Sequence, residues 1–253
     1  MAHTQFYLAD LLMHTGRLFE AEEVLRDAID RYERLVADFP GLGSPKRQTA
    51  ICYEQLGEVL WMTNRLDGAK EAMRRSFILK DEKVAEFPRV MWYRLRLVRV
   101  LANCPDAEFR DPQRAVELAT DFLEKAPDNS DAWLYLGIAQ YRLGEWHSAL
   151  EALHRSMEFS PEDIEFHSEH YSFQWFHLAL AHWQLGDKEQ ARNTYDRAVE
   201  AMRDETSNLG AEAIPRLKIQ LVHEEAKRLI DGSGQVTSPS GTDSPANQEK
   251  DLP

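Results

Sequence analysis

The chain has 253 residues with 43% hydrophobic content, and its formal net charge is −13. Such acidity argues against a nucleic-acid or anionic-membrane partner, because both require neutralising lysines and arginines. Alternating β-branched runs are nearly absent, and no apolar stretch approaches the ~18 residues of a membrane-spanning helix. The N-terminal residues MAHTQFYLADLL enter an amphipathic helix at once, so we predict no signal peptide and a cytoplasmic location.

A sequence pattern recurs along the chain: an aromatic residue, a Leu-Gly or similar pair, a turn, and a small residue that opens a second helix. The cleanest copy is SDAWLYLGIAQYRLGEWHSALEALHRSMEFSPED. In five copies the small residue is an alanine, which lets two helices approach closely: Ala21, Ala69, Ala115, Ala149 and Ala191. Repeated hairpins of this kind stack into solenoids, which usually serve as binding surfaces.

In chain order, the pattern predicts helical hairpins at about 2–40, 46–88, 89–127, 130–161 and 170–205. Two of them depart from the pattern: Asn64 replaces the turn glycine of the second hairpin, and residues 104–111 interrupt the third. An amphipathic segment at 209–231 predicts a helix that caps the last hairpin, since terminal units need a polar outer face. The tail at 232–253 is rich in Gly, Ser, Thr and Pro and is predicted to be disordered.

These copies resemble tetratricopeptide repeats over residues 2–205. The spacing from Ala115 to Ala149 is 34 residues, the period of that family. The segments CPDAEFRDPQRAVELA and AHWQLGDKEQARNTYDRAVE are similar to the repeat arrays associated with serine/threonine kinases of planctomycete-type bacteria. The resemblance implies an all-α, right-handed α-solenoid from a bacterium. Because kinase motifs are absent, it implies a separate repeat protein or a detached regulatory part.

In tetratricopeptide repeat proteins the first helix of each hairpin lines a concave groove, and this implies a peptide-binding site here. The corresponding residues are Glu58, Trp61, Leu134, Ile138, Tyr141, Arg142, Phe176, Leu180 and Trp183. The apolar wall between the fourth and fifth hairpins would consist of Leu134, Ile138, Tyr141, Phe176, Leu180 and Trp183. We expect Arg142 beside it to meet an acidic residue or carboxylate of the ligand. Trp61, Tyr141 and Trp183 are equally compatible with packing between helices.

The sequence contains no recognisable catalytic motif or cofactor-binding loop, so we predict no enzymatic activity, no cofactor and no metal. Six of the nine histidines lie between residues 147 and 182. His167 and His170 are three apart, a spacing that could share a metal ion on one turn of helix, but no further ligand completes a site. We therefore favour packing and surface roles for these histidines.

The leading functional hypothesis is an interaction module that binds a peptide or helix of a partner protein in the groove. The alternative is a regulatory or oligomerising repeat segment that works with a kinase or other enzyme. Helical periodicity begins at Phe6 and Leu8 with no preceding polar cap. Because exposed apolar surface commonly marks an interface, we also expect the first hairpin to pack on another copy, on a partner, or on a domain missing from this chain.

Overall fold

The computed structural model describes residues 2–39, 41, 43–160, 168–207 and 217–232, and within these ranges its regular elements are helices without a strand. Ten α-helices form five hairpins: α1 (Ala2–His14) with α2 (Leu18–Asp38), α3 (Gly43–Met62) with α4 (Leu66–Glu86), α5 (Met91–Asn103) with α6 (Pro112–Leu123), α7 (Ser130–Leu143) with α8 (Trp146–Glu158), and α9 (Ser168–Gln184) with α10 (Lys188–Ser207). One more helix, α11 (Leu217–Ile230), follows them. The predicted all-α solenoid of helix hairpins with a C-terminal helix is confirmed.

The small residues of the repeat mark where the two helices of a hairpin approach most closely. All five aligned alanines are fully buried. In two hairpins a glycine of the first helix faces the second helix: a Cβ added at Gly137 would lie 2.8 Å from Leu153 Cγ, and one added at Gly57 would lie 2.9 Å from Met73 Cγ. Real Cβ atoms do not approach so closely, so these two positions require glycine.

Four of the hairpin turns contain a residue with left-handed backbone geometry. In three of them it is a glycine: Gly16 has φ 71°, Gly144 has φ 81° and Gly186 has φ 89°. In the second hairpin Asn64 takes this place, with φ 58°. Because asparagine tolerates the left-handed region better than most residues, the substitution leaves the turn geometry intact.

The segment that interrupts the third hairpin is an ordered loop containing a 3-10 helix at Ala107–Phe109. Asp106 caps this helix by accepting a hydrogen bond from a backbone amide two residues later. Phe109 is almost completely buried and packs in one cluster with Cys104 and with Met73 of α4. The insertion therefore ties the third hairpin to the second.

Both cysteines are buried and unbonded. Burial raises the pKa of the Cys52 thiol to about 12 and that of the Cys104 thiol to about 11. Each thiol therefore stays protonated and behaves as a small apolar side chain.

Most of the apolar core forms two clusters, one in the first two hairpins and one in the last three, and α11 joins the second. The smaller cluster around Phe109 lies between the second and third hairpins. Two serines at equivalent repeat positions link the helices of their hairpins. Ser76 Oγ donates to the Ala50 carbonyl oxygen, and Ser156 Oγ donates to that of Ser130, both at 2.8 Å. Within the described part of the chain, no helix combines the length and apolarity that a membrane crossing needs.

Three longer stretches fall outside the described residues: 161–167, 208–216 and 233–253. They contain nearly all of the tail predicted to be disordered and the first part of the capping helix predicted at 209–231.

Candidate binding groove

The first helices of the hairpins lie side by side, and we call the face that they share the inner face. Helices α5 and α7 pack directly on each other, as do α7 and α9, whereas each second helix packs mainly on first helices. Side chains also join neighbouring first helices. Gln55 of α3 donates to Asp10 of α1 at 3.3 Å, and Arg99 of α5 donates to Glu54 of α3 at 2.6 and 2.8 Å. This is the face on which the sequence predicts a groove.

The C-terminal helix α11 lies against this inner face. It packs mainly on α9 and less on α10, where His223 meets the Tyr195 hydroxyl at 3.1 Å. Glu225 reaches α7, and Lys218 borders a cleft that is also lined by Glu54 and Glu58 of α3. A helix that covered only the flank of the last hairpin would not reach α7. The predicted C-terminal capping helix is confirmed, and it also extends onto the face where the sequence predicts a groove.

Four of the nine predicted groove residues are fully buried: Leu134, Ile138, Phe176 and Leu180. They belong to the same apolar cluster as Ile219, Val222, Ala226 and Ile230 of α11. Since their side chains have no exposed surface, they form the packed base of the groove rather than its open wall. The sequence identified the helix that carries each residue, but not the side of the helix that another helix would cover.

Tyr141 and Arg142 already hold a carboxylate from the same chain. Arg142 donates from its two Nη atoms to the two carboxylate oxygens of Glu225, both at 2.8 Å, and the Tyr141 hydroxyl lies 3.3 Å from the same carboxylate. Although burial favours the neutral acid, these hydrogen bonds hold the pKa of Glu225 below its ordinary value. Burial, together with Glu225, raises the pKa of Tyr141 to about 12. At neutral pH Glu225 is therefore ionised and Tyr141 is protonated, so the hydroxyl can donate to the carboxylate.

The remaining predicted residues are Glu58, Trp61 and Trp183, and all three are partly exposed. Trp183 is stacked with Lys188, whose Nζ lies 3.6 Å from the ring centroid and donates to the Trp183 carbonyl oxygen. Glu58 and Trp61 lie about one turn apart on α3. Trp61 packs against the apolar clusters of the first three hairpins, whereas Glu58 borders a cleft.

An inner cleft opens beside Glu58, between α3, α4, α5 and α7 and the first turn of α11. Its charged floor is Glu54, which is paired with Arg99 and, at 2.9 Å, with Lys80. Burial opposes ionisation of Glu54, but these two cations outweigh it and lower its pKa to about 2. The pKa of Lys80 is lowered, mainly by burial. Sequence reasoning missed Lys80 because it lies on a second helix, where an outward-facing lysine is the usual expectation.

The histidines do not form a metal site in the residues that the structure describes, where no three His, Cys, Asp or Glu side chains converge. His177 is fully buried, and its Nδ1 lies 2.8 Å from the Phe173 carbonyl oxygen. Burial lowers the pKa of His177 to about 4, so its ring is neutral at physiological pH. His167 lies outside the described residues, so its predicted pairing with His170 stays a prediction.

The fold and its inner face define a helical repeat protein of the solenoid class, and comparison with known families specifies the repeat. Three models of the tetratricopeptide repeat match residues 2–40, 107–168 and 175–204. The chain therefore contains tetratricopeptide repeats, as its sequence resemblance implied. Proteins with these repeats typically bind protein partners and generally act as scaffolds rather than enzymes.

Solved structures of similar fold cover most of the chain. A thermophilic tetratricopeptide repeat protein of Thermus thermophilus matches 89% of this chain and 98% of its own, with a TM-score of 0.50 and 16% identity. BtubC from P. vanneervenii covers 99% of this chain and 87% of its own, with a TM-score of 0.48 and 16% identity. MamA from Desulfovibrio magneticus RS-1 covers 80% and 96%, with a TM-score of 0.47 and 16% identity. Such low identity bears on the fold alone, and no curated protein matches the sequence.

Proposed function

We propose that the inner face binds a peptide or helix of a partner protein. The observation that carries this proposal is α11, an amphipathic helix seated on that face. Its apolar side chains enter the core, while Arg142 and Tyr141 hold its Glu225 carboxylate. A partner helix that combines an apolar stripe with a carboxylate would use the same recognition chemistry.

The inner cleft is the first place of contact in this proposal. It is lined by Glu58 of α3 and by Lys218 in the first turn of α11. A ligand between the fourth and fifth hairpins would instead have to displace α11 to reach Tyr141, Arg142 and the apolar base. A ligand in the inner cleft is distinguishable from one between the fourth and fifth hairpins, because only the latter requires the release of α11.

Site-specific photo-cross-linking tests the proposal. A photoreactive amino acid replaces Asn103, which lines the inner cleft, and a matched protein carries it at Glu151, which is exposed on α8. In extract from the native host, we expect a discrete cross-linked partner from position 103 and none from position 151. Equal cross-linking from both positions, or none from position 103, contradicts a ligand in the inner cleft.

A regulatory or oligomerising role beside a kinase or other enzyme is the second candidate. What favours its oligomerising form is the exposed apolar surface on the first hairpin, where Tyr7, Leu11 and Phe19 are 61%, 60% and 73% exposed. Exposed apolar side chains of this size commonly mark an interface. In this form of the proposal, a second copy of the chain covers them.

Sedimentation velocity tests self-association through this surface. If the surface is an interface, Leu11→Glu/Phe19→Glu shifts a dimer to the monomer, whereas Ile78→Glu, at a 41% exposed residue of α4, leaves the dimer intact. A wild-type protein that is monomeric at all accessible concentrations rules the second candidate out in its oligomerising form.

A further inference from the structure

Helix α1 presents a row of large apolar side chains to solvent. Tyr7, Leu8 and Leu11 lie within about one turn of each other, so they share one face of the helix. Their side chains are 61%, 44% and 60% exposed. No other helix in the described part of the chain exposes three large apolar side chains. We call these three residues the α1 stripe.

The positions of the α1 stripe are buried in other repeats. Equivalent residues are found by counting back from the positive-φ residue of each hairpin turn: five residues for Leu11, eight for Leu8 and nine for Tyr7. In the second, fourth and fifth hairpins, all nine equivalents are at most 7% exposed: Val59, Ala139 and Ala181 for Leu11, Leu56, Leu136 and Leu178 for Leu8, and Gln55, Tyr135 and His177 for Tyr7. The α1 stripe therefore occupies positions that the repeat covers elsewhere in this chain.

The equivalent side of the second hairpin faces the hairpin before it. Gln55 donates to Asp10 of α1 at 3.3 Å, and Leu56 and Val59 belong to the apolar cluster that includes Leu25 of α2. Helix α1 itself packs on α2 and α3, which leaves its own stripe uncovered. A helix laid against the α1 stripe would therefore bury it as a preceding hairpin buries the other first helices.

The charge of the chain makes this end suitable for contact between two copies. Residues 1–16 contain one acidic side chain, Asp10, and no lysine or arginine, although the net charge of the whole chain is −13. Like charges that face each other across an interface oppose association. Two α1 helices can therefore approach each other with little of the repulsion that the rest of this acidic chain would cause.

The C-terminal end offers no matching apolar surface for α1. There α11 packs on α9 and α10 and buries its own apolar side chains against them. Among the described residues after Trp92, no large apolar side chain is exposed. Addition of copies head to tail would therefore leave the α1 stripe against polar surface. The α1 stripe of a second copy is apolar, and contact between two identical surfaces is made about a two-fold axis.

We propose that two copies of the chain form a dimer in which their α1 stripes pack against each other about a two-fold axis. This proposal rests on the oligomerising form of the second candidate function, because it specifies the residues and the symmetry of that association. Such an interface closes on itself, so assembly stops at the dimer. One pair of 13-residue helices buries less than a standard interface of ~1,600 Å², so we expect dissociation in the micromolar range.

Sedimentation velocity of the full chain from about 1 to about 200 µM tests the contact surface. Wild type should pass from monomer to dimer, whereas Leu8→Glu/Leu11→Glu should stay monomeric and keep its helicity, because both side chains are exposed in the single chain. Leu66→Glu/Ile78→Glu adds the same charge at residues of α4 that are 43% and 41% exposed, and it should dimerise as wild type does. A wild type that is monomeric throughout, or an equal loss of dimer in both variants, overturns the proposal.

Cysteine cross-linking tests the symmetry. In a two-fold pair, Leu8 of one copy lies near Leu8 of the other, so Leu8→Cys should be joined to its own copy by a short bis-maleimide. The native thiols, Cys52 and Cys104, are buried and do not compete. Ile78→Cys, on an exposed part of α4, is the control and should stay uncoupled at the same protein concentration. This measurement involves no added charge, so it decides the question even when Leu8→Glu/Leu11→Glu fails to fold.

The outcomes separate this proposal from the functions on which it bears. Species heavier than a dimer, or a wild-type dimer without a Leu8→Cys cross-link, would overturn the two-fold α1 contact but retain self-association through another surface. A monomeric wild type would remove the α1 contact and the oligomerising candidate together. Partner cross-linking from position 103 reports on the inner face, so it tests the leading function independently of either result.

Discussion

Arg142 of α7 and Glu225 of α11 form a bidentate ion pair, with both N···O distances at 2.8 Å, and this pair fixes the last helix to the inner face. Their side chains are only 23% and 24% exposed. Solvent therefore screens the pair weakly, and the loss of one partner leaves a poorly solvated charge behind.

Removal of one partner should destabilise the protein more than removal of both. Arg142→Leu strands the Glu225 carboxylate, so we expect it to lower the free energy of unfolding by roughly 1–3 kcal/mol. Arg142→Leu/Glu225→Leu should recover much of that loss, which urea unfolding can measure. Arg155→Leu, at the exposed pair with Glu158, is the control and should cost below about 1 kcal/mol. A double variant that is less stable than Arg142→Leu contradicts the assignment.

Gly137→Ala should overpack the fourth hairpin. The added Cβ would lie 2.8 Å from Leu153 Cγ and 3.1 Å from the Ala149 carbonyl oxygen, and backbone cannot yield as a flexible side chain can. We expect a cost of roughly 1–3 kcal/mol in thermal or urea unfolding. At Gly41 no atom lies within 4 Å of an added Cβ, so Gly41→Ala should be near neutral. Equal effects of the two substitutions would show that the helices do not approach as described.

Asn64 should respond to substitution according to its positive φ of 58°. Glycine adopts this conformation without strain, so Asn64→Gly should preserve or raise the melting temperature. Asn64→Ala should lower stability by about 1 kcal/mol, because the Cβ is disfavoured in the left-handed region. A melting temperature that is equal for the two variants would mean that the turn relaxes to another geometry.

His177 should make the protein less stable in weak acid. Its folded-state pKa is about 4, below the ordinary value of 6.5, so between these pH values the unfolded chain binds a proton that the folded chain does not. The free energy of unfolding should therefore fall as pH drops from 6.5 towards 4. We expect wild type to lose roughly 1–2 kcal/mol more than His177→Asn between about pH 7 and pH 5.

A matched histidine separates this effect from general acid sensitivity. Burial also lowers the pKa of His154 and His223, so these residues add to the acid sensitivity of the wild type. The contribution of His177 is therefore measured by comparing the pH dependence of unfolding between variants. His147 is exposed on α8, and His147→Asn should retain the wild-type dependence on pH. If His177→Asn retains it too, the acid sensitivity arises elsewhere.

Local sequence signals predicted the hairpins well because their causes are local. Ala149 and Gly137 must be small because two helices cross there, and Gly144 must be glycine because its turn needs a positive φ. Both requirements are visible in the local sequence. The position of α11 has no such local signal. Its apolar stripe shows that one face is buried, but the surface that buries it is determined by contacts between distant parts of the chain.

The same reason explains which site residues could be predicted. The sequence predicts a ligand carboxylate at Arg142, whereas the chain supplies Glu225 itself. Leu134 and Phe176 were placed on the first helices that carry them, yet their burial depends on how tightly α11 covers them. That Lys80 pairs with Glu54 can be recognised only when both side chains have been located in three dimensions.

The buried thiols have a practical consequence for experiments on this protein. Cys52 and Cys104 are shielded from solvent, and their raised pKa values, about 12 and 11, leave almost no thiolate at neutral pH. Maleimide and iodoacetamide react with thiolates, so the native protein should be labelled very slowly while folded. A cysteine introduced on the inner face can therefore carry a spectroscopic probe of ligand binding with both native cysteines left in place.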